Sequence, residues 1–526
     1  MRQNIVPCIV FIALGLTGCS AEAPSPDKVA ADSGADAAPT PTTLPEGLEL
    51  DRLLMHLDAL AAIGADRGDT RVLGSAGFED SARYVQAQLE AAGFVVQRQP
   101  FSHSTWAALG PGALEADGLS AFVSGRDFGP IGRSPPGDVR GPVVAVDITL
   151  PPPGGANSTH SGCEAADWRD FPAGAIALVQ RGSCGFSVKV QGAEAAGAVG
   201  VILFNEGQSD RSGLIGGNLD SSIVHTIPVV EARTSVATTL LAAMAEGTVS
   251  ARILVESELN EIPTENLWVD LPGQTDELVV VGGHLDSVGA GPGINDNGSG
   301  VSLVLELALL ARALRESGEP APRNTLRFAF WGAEEEGLIG SFAYVRALEP
   351  DALSAHVANL NFDMVASPNG LRAVYDGDGS AELGGFPAPD GSDVIEAMFT
   401  EHFDARGQDW HPTAFDGRSD YGPFILAGVP AGGLFTGAEA LKTPVEAAQV
   451  GGTAGEALDP CYHQACDTEE NIDPVLFLEM AEAAAAATAG AADLRPFVQS
   501  RQARSIPVRA EGLDYLGGCD HPRPAK

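Results

Sequence analysis

Short apolar strands alternate with long helices over residues 256–498. The strands are predicted at ELVVVGG, TLRFAFW, ANLNFDM and VPAGGLF, and the helices include VSLVLELALLARALRES and PVLFLEMAEAAAAATAGAA. Strands without polar alternation are typical of parallel sheets that helices cover on both faces. The pattern therefore predicts an α/β fold, namely a three-layer α/β/α sandwich.

A region of different character interrupts this domain. Residues 48–111 contain the amphipathic helices LELDRLLMHLDALAAIG and GFEDSARYVQAQLEAAGF and the strand VVQRQPF, which we expect to pack with residues 256–498. Residues 112–255 instead carry short β-type runs between Gly and Pro turns, with one helix at SVKVQGAEAAGA. The stretch from SGCEAADW to VGVILFNEG resembles the protease-associated (PA) domain of exported peptidases. This resemblance implies a β-rich insert that is a folded spacer or lid, with substrate or partner contact as the alternative.

The N-terminus has the features of an export signal. Residues 1–18 combine one early Arg with an apolar run that is too short to span a bilayer, followed by small residues. The sequence LTGC that ends at Cys19 resembles the lipobox of bacterial lipoproteins, whose cysteine is acylated; an ordinary signal peptide is the alternative. Residues 19–47 are rich in Ala, Pro, Asp and Thr, which predicts a disordered tether. We expect an exported lipoprotein, anchored in a membrane and facing the periplasm or the cell exterior.

The balance of charge restricts the partners. The chain has 31 Lys and Arg against 70 Asp and Glu, a net charge of -39. Phosphate binding requires basic surface, so the composition argues against nucleic acid and against anionic membrane surfaces. Membrane contact is therefore expected only through the lipid anchor, and the oligomeric state stays open.

Five of the seven cysteines lie beyond the predicted lipid site. In an oxidising compartment we pair Cys163 with Cys184 and Cys461 with Cys466, because each pair closes a short local loop. Cys519 remains in the polar tail of residues 499–526, as a free thiol or an intermolecular bridge. No C-x-x-C occurs, so the spacing argues against a zinc site made of cysteines.

Candidate metal ligands follow the ends of the predicted strands, where open α/β sheets bind their ligands. The Gly-rich loop GAGPGINDNGSG has no Lys and an acidic centre, so it is not a phosphate cradle. Four segments instead supply imidazoles and carboxylates, a set that suits zinc and similar divalent ions. The side chains concerned are His284, Asp286, Asp296, Glu334, Glu335, Glu336, Asp363 and His463.

Long ordered motifs carry a family resemblance. They are GGHLDSVGAGPGINDNGSG at 282–300, FAFWGAEEEGLIGS at 328–341, NFDMVASPN at 361–369, FDGRSDYGPF at 415–424 and CYHQACDT at 461–468. Together they resemble the bacterial exported di-zinc aminopeptidases, a metallopeptidase family that includes leucine-type secreted aminopeptidases. The resemblance implies an enzyme that releases N-terminal residues from peptides or proteins and uses two Zn²⁺, although other divalent ions can occupy such sites.

The resemblance also implies a metal site. His284 and Asp363 would hold one ion, Glu335 and His463 the other, and Asp296 would bridge both. A further carboxylate, that of Asp286, would accept the free ring N–H of His284 and orient the imidazole.

Other side chains are expected to act on the substrate. The resemblance implies that Glu334 is the general base, that Tyr462 donates its hydroxyl to the oxyanion, and that Arg418 lies near the substrate main chain. Met364 and Phe435 follow strand ends and either line an apolar side-chain pocket or pack in the core. Glu336 has no implied role, and we expect it to be solvated.

Three alternatives remain. A PA-bearing carboxypeptidase or dipeptidase would have the same domains, and a non-catalytic binding lipoprotein or a single-zinc glutaminyl cyclase could use the same scaffold. The last two would be expected to lack a ligand or the base, and none is missing here. A serine hydrolase is disfavoured because no G-x-S-x-G occurs in the chain.

Overall fold

The computed structural model describes residues 43–209, 211–220 and 223–497. The predicted signal peptide, Cys19, most of the tether and the tail of residues 499–526 lie outside these ranges. The strands are β1 Gln97–Ala108, β2 Ala113–Ala116, β3 Phe128–Pro130, β4 Gly137–Ala145, β5 Ile176–Gln180, β6 Gly200–Phe204, β7 Val229–Ala232, β8 Ser250–Val255, β9 Ser257–Leu271, β10 Leu278–His284, β11 Thr325–Trp331, β12 His356–Phe362, β13 Ala373–Tyr375, β14 His411–Thr413 and β15 Ala431–Phe435. The α-helices are α1 Leu44–Gly47, α2 Leu50–Asp66, α3 Ala76–Ala91, α4 Phe186–Ala195, α5 Thr234–Glu246, α6 Gly300–Ser317, α7 Ile339–Arg346, α8 Pro350–Ala355, α9 Ser392–Arg406, α10 Gly422–Leu426, α11 Pro444–Val450 and α12 Pro474–Ala491. Short 3₁₀ turns span Ala165–Trp168 and Glu469–Asn471, and a π-helical turn spans Ile294–Ser299.

The predicted apolar strands form the centre of an eight-stranded mixed sheet. Its order is β1-β9-β11-β10-β12-β15-β13-β14. The four central strands, β11, β10, β12 and β15, are parallel, whereas β9 and β13 join them antiparallel. The parallel centre places the carboxyl ends of four strands at one edge of the sheet.

Alternate residues of each central strand enter two different cores. In β10, Val279 and Val281 pack with helices α2, α3, α6, α9 and α12, whereas Val280 packs on the other face with Trp331 and residues of α7, α8 and α10. Both faces are therefore buried, which explains why the strand shows no polar alternation. The predicted three-layer α/β/α sandwich is confirmed.

The folded chain begins earlier than the predicted tether end at residue 47. Helix α1 starts at Leu44, which is 7% exposed and belongs to the larger core. Burial of this leucine side chain in the core contributes favourable free energy to folding, which orders the start of the chain. The Ala, Pro, Asp and Thr around it predict disorder and do not indicate this contact.

Strands β2 to β8 form a second sheet, with the order β2-β8-β4-β5-β6-β7-β3. Strands β4, β5, β6 and β7 are parallel, and helices α4 and α5 cover this sheet. Helix α5 was not predicted, because TSVATTLLAAMAE is rich in threonine, which lowers helix propensity. The burial of Val236, Ala237 and Leu240 on one face stabilises it nevertheless.

The two sheets are joined through a long antiparallel ribbon of β1 and β9. The ribbon pairs Gln97 with Trp268 at one end and Ala108 with Ser257 at the other, and Leu109 N–H then donates to Glu256 O at 2.7 Å. The second sheet lies between these paired strands in the sequence. The polypeptide therefore leaves the domain of the eight-stranded sheet at the end of β1 and returns to it at the start of β9, where these two strands are paired.

Lys189 is fully buried in the inserted domain, and its charge should make the stability of that domain depend on pH. Its Nζ donates to Ser161 O at 2.5 Å, and burial lowers the pKa of the lysine to about 8. Between that value and the ordinary 10.5 the unfolded chain binds more protons than the folded chain, so the free energy of unfolding should rise with pH. We expect a rise on the order of 1–3 kcal/mol across this window that Lys189→Met abolishes. Denaturant unfolding of both proteins across the window measures it, and parallel pH profiles would contradict it.

Candidate active site

The carboxyl ends of the central strands bring the predicted ligands together. His284 is the last residue of β10, Asp363 directly follows β12, and Glu334 and Glu335 follow β11. Asp296 lies in the π-helical turn that precedes α6. Parallel neighbours end at the same edge of a sheet, so side chains far apart in sequence meet there.

The imidazole of His284 faces three carboxylates. Its Nε2 lies 3.3 Å from Asp363 Oδ1, 3.4 Å from Asp296 Oδ1 and 3.8 Å from Glu334 Oε2. The His284 side chain is 1% exposed. Although burial opposes the charged form, the carboxylates of Asp363 and Glu334 raise the pKa of His284 well above its usual range.

A second imidazole, that of His463, completes the cluster, which consists of His284, Asp296, Glu334, Glu335, Asp363 and His463. His463 Nε2 lies 3.0 Å from Glu335 Oε2 and 3.1 Å from Asp296 Oδ2. Asp296 therefore presents one oxygen to each imidazole. Burial raises the pKa of Glu335 to about 7, and the charge of Asp296 adds to this shift.

The cluster suits divalent cations. His284 and Asp296 approach Glu335, and His284 also approaches Glu334 and Asp363, with ligand atoms that lie within 4.8 Å of one another in each group. Among the described residues, the buried Glu335 Oε1 has no hydrogen-bond partner. Buried carboxylates are costly without a compensating cation, and nitrogen and oxygen ligands of this kind bind zinc.

Asp286 contacts His284 and also supports the neighbouring turn. His284 Nδ1 lies 3.2 Å from the main-chain carbonyl of Asp286 and 3.8 Å from its carboxylate Oδ1. The Asp286 carboxylate also accepts the backbone N–H groups of Glu334 at 3.1 Å and Glu335 at 3.3 Å. Asp286 thus positions the turn that carries the two glutamates, while its carbonyl is the nearer acceptor for the imidazole.

Two supporting side chains were not predicted. Ser419 Oγ donates to Asp363 Oδ2 at 2.5 Å, and the carboxylate of Asp467 accepts the N–H groups of Asn295 at 2.9 Å and Asp296 at 3.0 Å. Both residues lie in motifs already noted, FDGRSDYGPF and CYHQACDT. Their position inside those motifs was the available signal, but residue type alone assigns them no role.

Tyr462 and Arg418 lie together beside the cluster. The Tyr462 ring stacks on His463 with 3.8 Å between centroids, and Arg418 Nη2 donates to the Tyr462 hydroxyl at 3.0 Å. Arg418 also pairs with Glu439, with 2.9 Å between Nη1 and Oε1. Burial raises the pKa of Tyr462, so the phenol keeps its proton and can donate it in a hydrogen bond.

A cavity of about 100 Å³ opens onto the cluster. Glu334 and Asp363 line it together with other charged and polar residues, among them Arg418, and with apolar residues. Met364 and Phe435 are among these apolar residues, so both border the site. The cavity can take a small substrate group next to the carboxylates.

Glu336 pairs with a histidine that is not one of the proposed metal ligands. Its carboxylate Oε2 lies 3.5 Å from His103 Nε2, and the side chain is 40% exposed. The side chain is therefore exposed to solvent as expected, but it also pairs with a histidine of β1.

Both predicted disulfides are confirmed. Cys163 is bonded to Cys184 in the inserted domain, and Cys461 is bonded to Cys466 beside the cluster. The second bond closes the loop that carries Tyr462 and His463. His463 has a φ of 56°, a left-handed conformation that costs a non-glycine residue about 1–2 kcal/mol.

Removal of the Cys461–Cys466 bond is expected to weaken the cluster. Without the bond, His463 can relax from its left-handed conformation, so we expect kcat/KM of Cys461→Ser/Cys466→Ser to fall about tenfold or more, with partial recovery in excess zinc. The matched control is Cys163→Ser/Cys184→Ser, which should reduce the stability of the inserted domain and leave kcat/KM unchanged. Equal kcat/KM in all three proteins would contradict the prediction.

Sequence and structure comparisons agree with this geometry. Residues 266–488 match Peptidase family M28, and residues 139–240 match the PA domain. The chain is 42% identical over 439 residues to a Pseudomonas aeruginosa protein named "Aminopeptidase", covering 82% of this chain and 79% of that protein. It is 38% identical over 485 residues to a Mycobacterium tuberculosis protein named "Probable lipoprotein aminopeptidase LpqL", covering 90% of each. A solved structure, "Aminopeptidase from Aneurinibacillus sp. strain AM-1", is similar with a TM-score of 0.58 and 25% identity, covering 86% of this chain and 97% of that one.

A three-layer sandwich with imidazoles and carboxylates at its strand ends agrees with a metallopeptidase, and the family match and the relatives assign the chain to that class. The chain belongs to peptidase family M28 and carries an inserted PA domain. The resemblance found in the sequence motifs is thereby confirmed.

Proposed function

We propose that this chain is an exported zinc aminopeptidase that hydrolyses the N-terminal peptide bond of peptides. The relatives from P. aeruginosa and M. tuberculosis are both named as aminopeptidases, and the matches cover 79% and 90% of their lengths. The observation that carries the proposal is Asp296, which turns one oxygen toward each of two buried or half-buried imidazoles. A carboxylate in that position suits a pair of divalent ions.

Five side chains would hold two zinc ions. His284 and Asp363 would hold one, Glu335 and His463 would hold the other, and Asp296 would share its two oxygens between them. The hydrogen bonds from Ser419 to Asp363 and to Asp467 from the backbone of Asp296 support these orientations. Bound there, the ions would polarise the scissile carbonyl and make the attacking water more acidic.

Glu334 is the proposed general base. Burial raises the pKa of its carboxyl well above the usual range, and the charges of Glu335 and Asp363 add to the shift. A carboxylate with a raised pKa can take the proton of the attacking water and pass it to the leaving amine. Glu335 Oε2 lies 3.0 Å from His463 Nε2, whereas Glu334 Oε2 lies 3.8 Å from His284 Nε2, which supports Glu335 as the ligand.

Tyr462 is proposed to donate its hydroxyl to the oxyanion that forms during hydrolysis. The Tyr462 hydroxyl accepts a hydrogen bond from Arg418, which leaves its own proton for the substrate. Donors placed where negative charge develops stabilise the transition state. Arg418 is thus proposed to orient Tyr462 beside the substrate main chain.

The cavity supports recognition of a free N-terminus. An α-amino group is cationic, and Glu334 and Asp363 are among the acidic residues that border the cavity. Met364 and Phe435 would contact the first side chain of the peptide. By contrast, Arg418 is paired with Glu439 at 2.9 Å, which disfavours its use as a receptor for a substrate carboxylate and so disfavours a carboxypeptidase.

The experiment that tests the function compares one peptide in three forms: free, N-acetylated and C-amidated. An aminopeptidase cleaves the free and amidated forms and is blocked by the acetyl group. A carboxypeptidase shows the reverse preference, and a binding protein cleaves none. Loss of activity with a chelator and recovery with zinc, together with metal analysis, tests the two-zinc site.

Lipid anchoring at Cys19 remains part of the proposal. The M. tuberculosis relative named as a probable lipoprotein supports it, although Cys19 lies outside the described residues. Cys19→Ala should release the protein from membranes, as fractionation would measure. Continued sedimentation of the variant with membranes after removal of the signal peptide would contradict the anchor.

A further inference from the structure

The guanidinium of Arg71 is buried inside the peptidase domain. Arg71 lies between α2 and α3, far in sequence from the strand-end motifs, and it is 0% exposed. A charged side chain is rarely buried without several partners, because its desolvation is costly. The identity of its partners therefore indicates what the residue does.

All three nitrogens of the Arg71 side chain donate to one loop. Nε donates to Pro292 O at 2.6 Å, Nη2 donates to Gly293 O at 2.6 Å, and Nη1 donates to Leu285 O. The planar guanidinium offers its donors in a rigid fork, so three such bonds hold the acceptors at set positions relative to one another.

The loop that Arg71 binds separates two proposed metal ligands. Leu285 directly follows His284, and Gly293 lies three residues before Asp296. One side chain thus connects the start of the loop to its end. The distance of 3.4 Å between His284 Nε2 and Asp296 Oδ1 depends on how these two ends are held.

The backbone around Arg71 strengthens the same connection. Arg71 N–H donates to Ser287 Oγ at 3.0 Å, and Ser287 Oγ lies 3.1 Å from Gly291 O, to which it can donate. Gly293 has a φ of 63°, and a Cβ at this position would lie 2.3 Å from Asp296 O and 3.3 Å from Arg71 Nη2. The loop is therefore closely packed where Arg71 reaches it.

The charge of Arg71 also suits its place. Asp286, Asp296, Glu335 and Asp467 surround the guanidinium closely enough to favour its charged form. Burial lowers the pKa of Arg71 to about 10, so the side chain is still a cation at neutral pH. It offsets part of the mutual repulsion of these carboxylates.

We infer that Arg71 is a positioning residue of the metal centre: its guanidinium joins the two ends of the loop 285–293 and so sets the separation of His284 and Asp296. The inference rests on the proposed function, because the site that it positions is the proposed two-zinc site. It assigns a role in that site to the segment between α2 and α3, which supplies none of the proposed metal ligands.

The test compares zinc retention by the native enzyme, Arg71→Met, Arg71→Lys and Arg327→Met. Arg327 is a matched control because it is also largely buried in the peptidase domain, where it pairs with Asp270 at 2.7 Å and with Tyr344 at 2.6 Å. Each zinc-loaded protein is titrated with a chromophoric chelator, its thermal stability is recorded, and the absorption spectrum of its cobalt form is measured.

Both Arg71 variants are expected to bind zinc about 10–100-fold more weakly than the native enzyme and to show an altered cobalt spectrum. Arg71→Lys keeps the positive charge but lacks the three-donor fork, so weaker zinc binding by this variant shows that the geometry of the guanidinium matters. Arg71→Lys also serves as the test if Arg71→Met does not fold. Arg327→Met should lose stability and retain native zinc affinity.

Native zinc affinity and cobalt spectrum in folded Arg71→Lys would overturn the inference. Weakening of zinc affinity in Arg327→Met in proportion to its stability would also overturn it, because the effect would then be general destabilisation. If the native enzyme itself bound no zinc, the proposed function would fail instead, so the two failures are distinguishable.

Discussion

Glu334→Gln is expected to lower kcat by about 10²–10⁴-fold while the protein keeps its zinc. Glutamine has nearly the same shape as glutamate but cannot accept the proton of the attacking water. Glu334 is buried, and its Oε2 lies 3.8 Å from the nearest proposed metal-binding imidazole nitrogen, that of His284. Substitution should therefore remove the base and leave the ligand set intact. Steady-state kinetics and metal analysis on the same preparation measure both effects.

The adjacent Glu336→Gln is the matched control for this substitution. Glu336 pairs with His103 and is 40% exposed, so its amide variant should keep kcat within about twofold of the native value. A Glu334→Gln enzyme with native kcat and a full zinc content would eliminate Glu334 as the base. A variant that lost its zinc would instead identify Glu334 as a ligand.

Asp296→Asn is expected to have the second large effect, which is loss of the metal centre. The two Asp296 oxygens lie 3.4 Å from His284 Nε2 and 3.1 Å from His463 Nε2, so one substitution disturbs both proposed ion positions. The hydrogen bonds with these imidazoles lower the pKa of Asp296 although burial opposes this, which indicates a carboxylate that stays ionised. An amide removes that charge and presents an NH₂ group where one of the ions requires an oxygen.

The bound zinc of Asp296→Asn should fall by at least one ion, and kcat/KM should fall about 10³-fold or more, as expected when several kcal/mol of metal assistance is lost. Asp351→Asn is the control, because Asp351 is exposed in α8 at the amino end of β12, opposite Asp363. Zinc content is measured by elemental analysis after gel filtration. Two tightly bound ions in Asp296→Asn would refute the shared-ligand arrangement.

Much of the fold could be predicted from the strands. Val279, Val280 and Val281 are consecutive apolar residues, and only a sheet covered on both faces buries them all. Elements with weaker patterns were harder to predict. The threonines of α5 conceal its buried face, and the four residues of α1 are too few to show a helical period, so the sequence predicts neither helix.

The motifs predict which residues form the candidate site but not which atoms of those residues contact one another. His284 and Asp363 end predicted strands, so the sequence could place them at one edge of the sheet. The sequence does not predict that the Asp286 carboxylate accepts the N–H groups of Glu334 and Glu335 or that its carbonyl is the nearer acceptor for His284. Which oxygen of a short side chain faces which donor depends on backbone geometry that residue type does not determine.

The sequence by itself determined the layered architecture, the position of the insert and the kinds of side chain that meet at the strand ends, because burial and ligand chemistry depend on residue type and order. Only the tertiary structure decided that Asp296 lies between His284 and His463 and that Arg71 holds the loop between His284 and Asp296. The side chain of Arg71 bonds to residues 214 to 222 positions away. Contacts at such separations follow from how helices and loops pack against the sheet, and no local pattern along the chain records them.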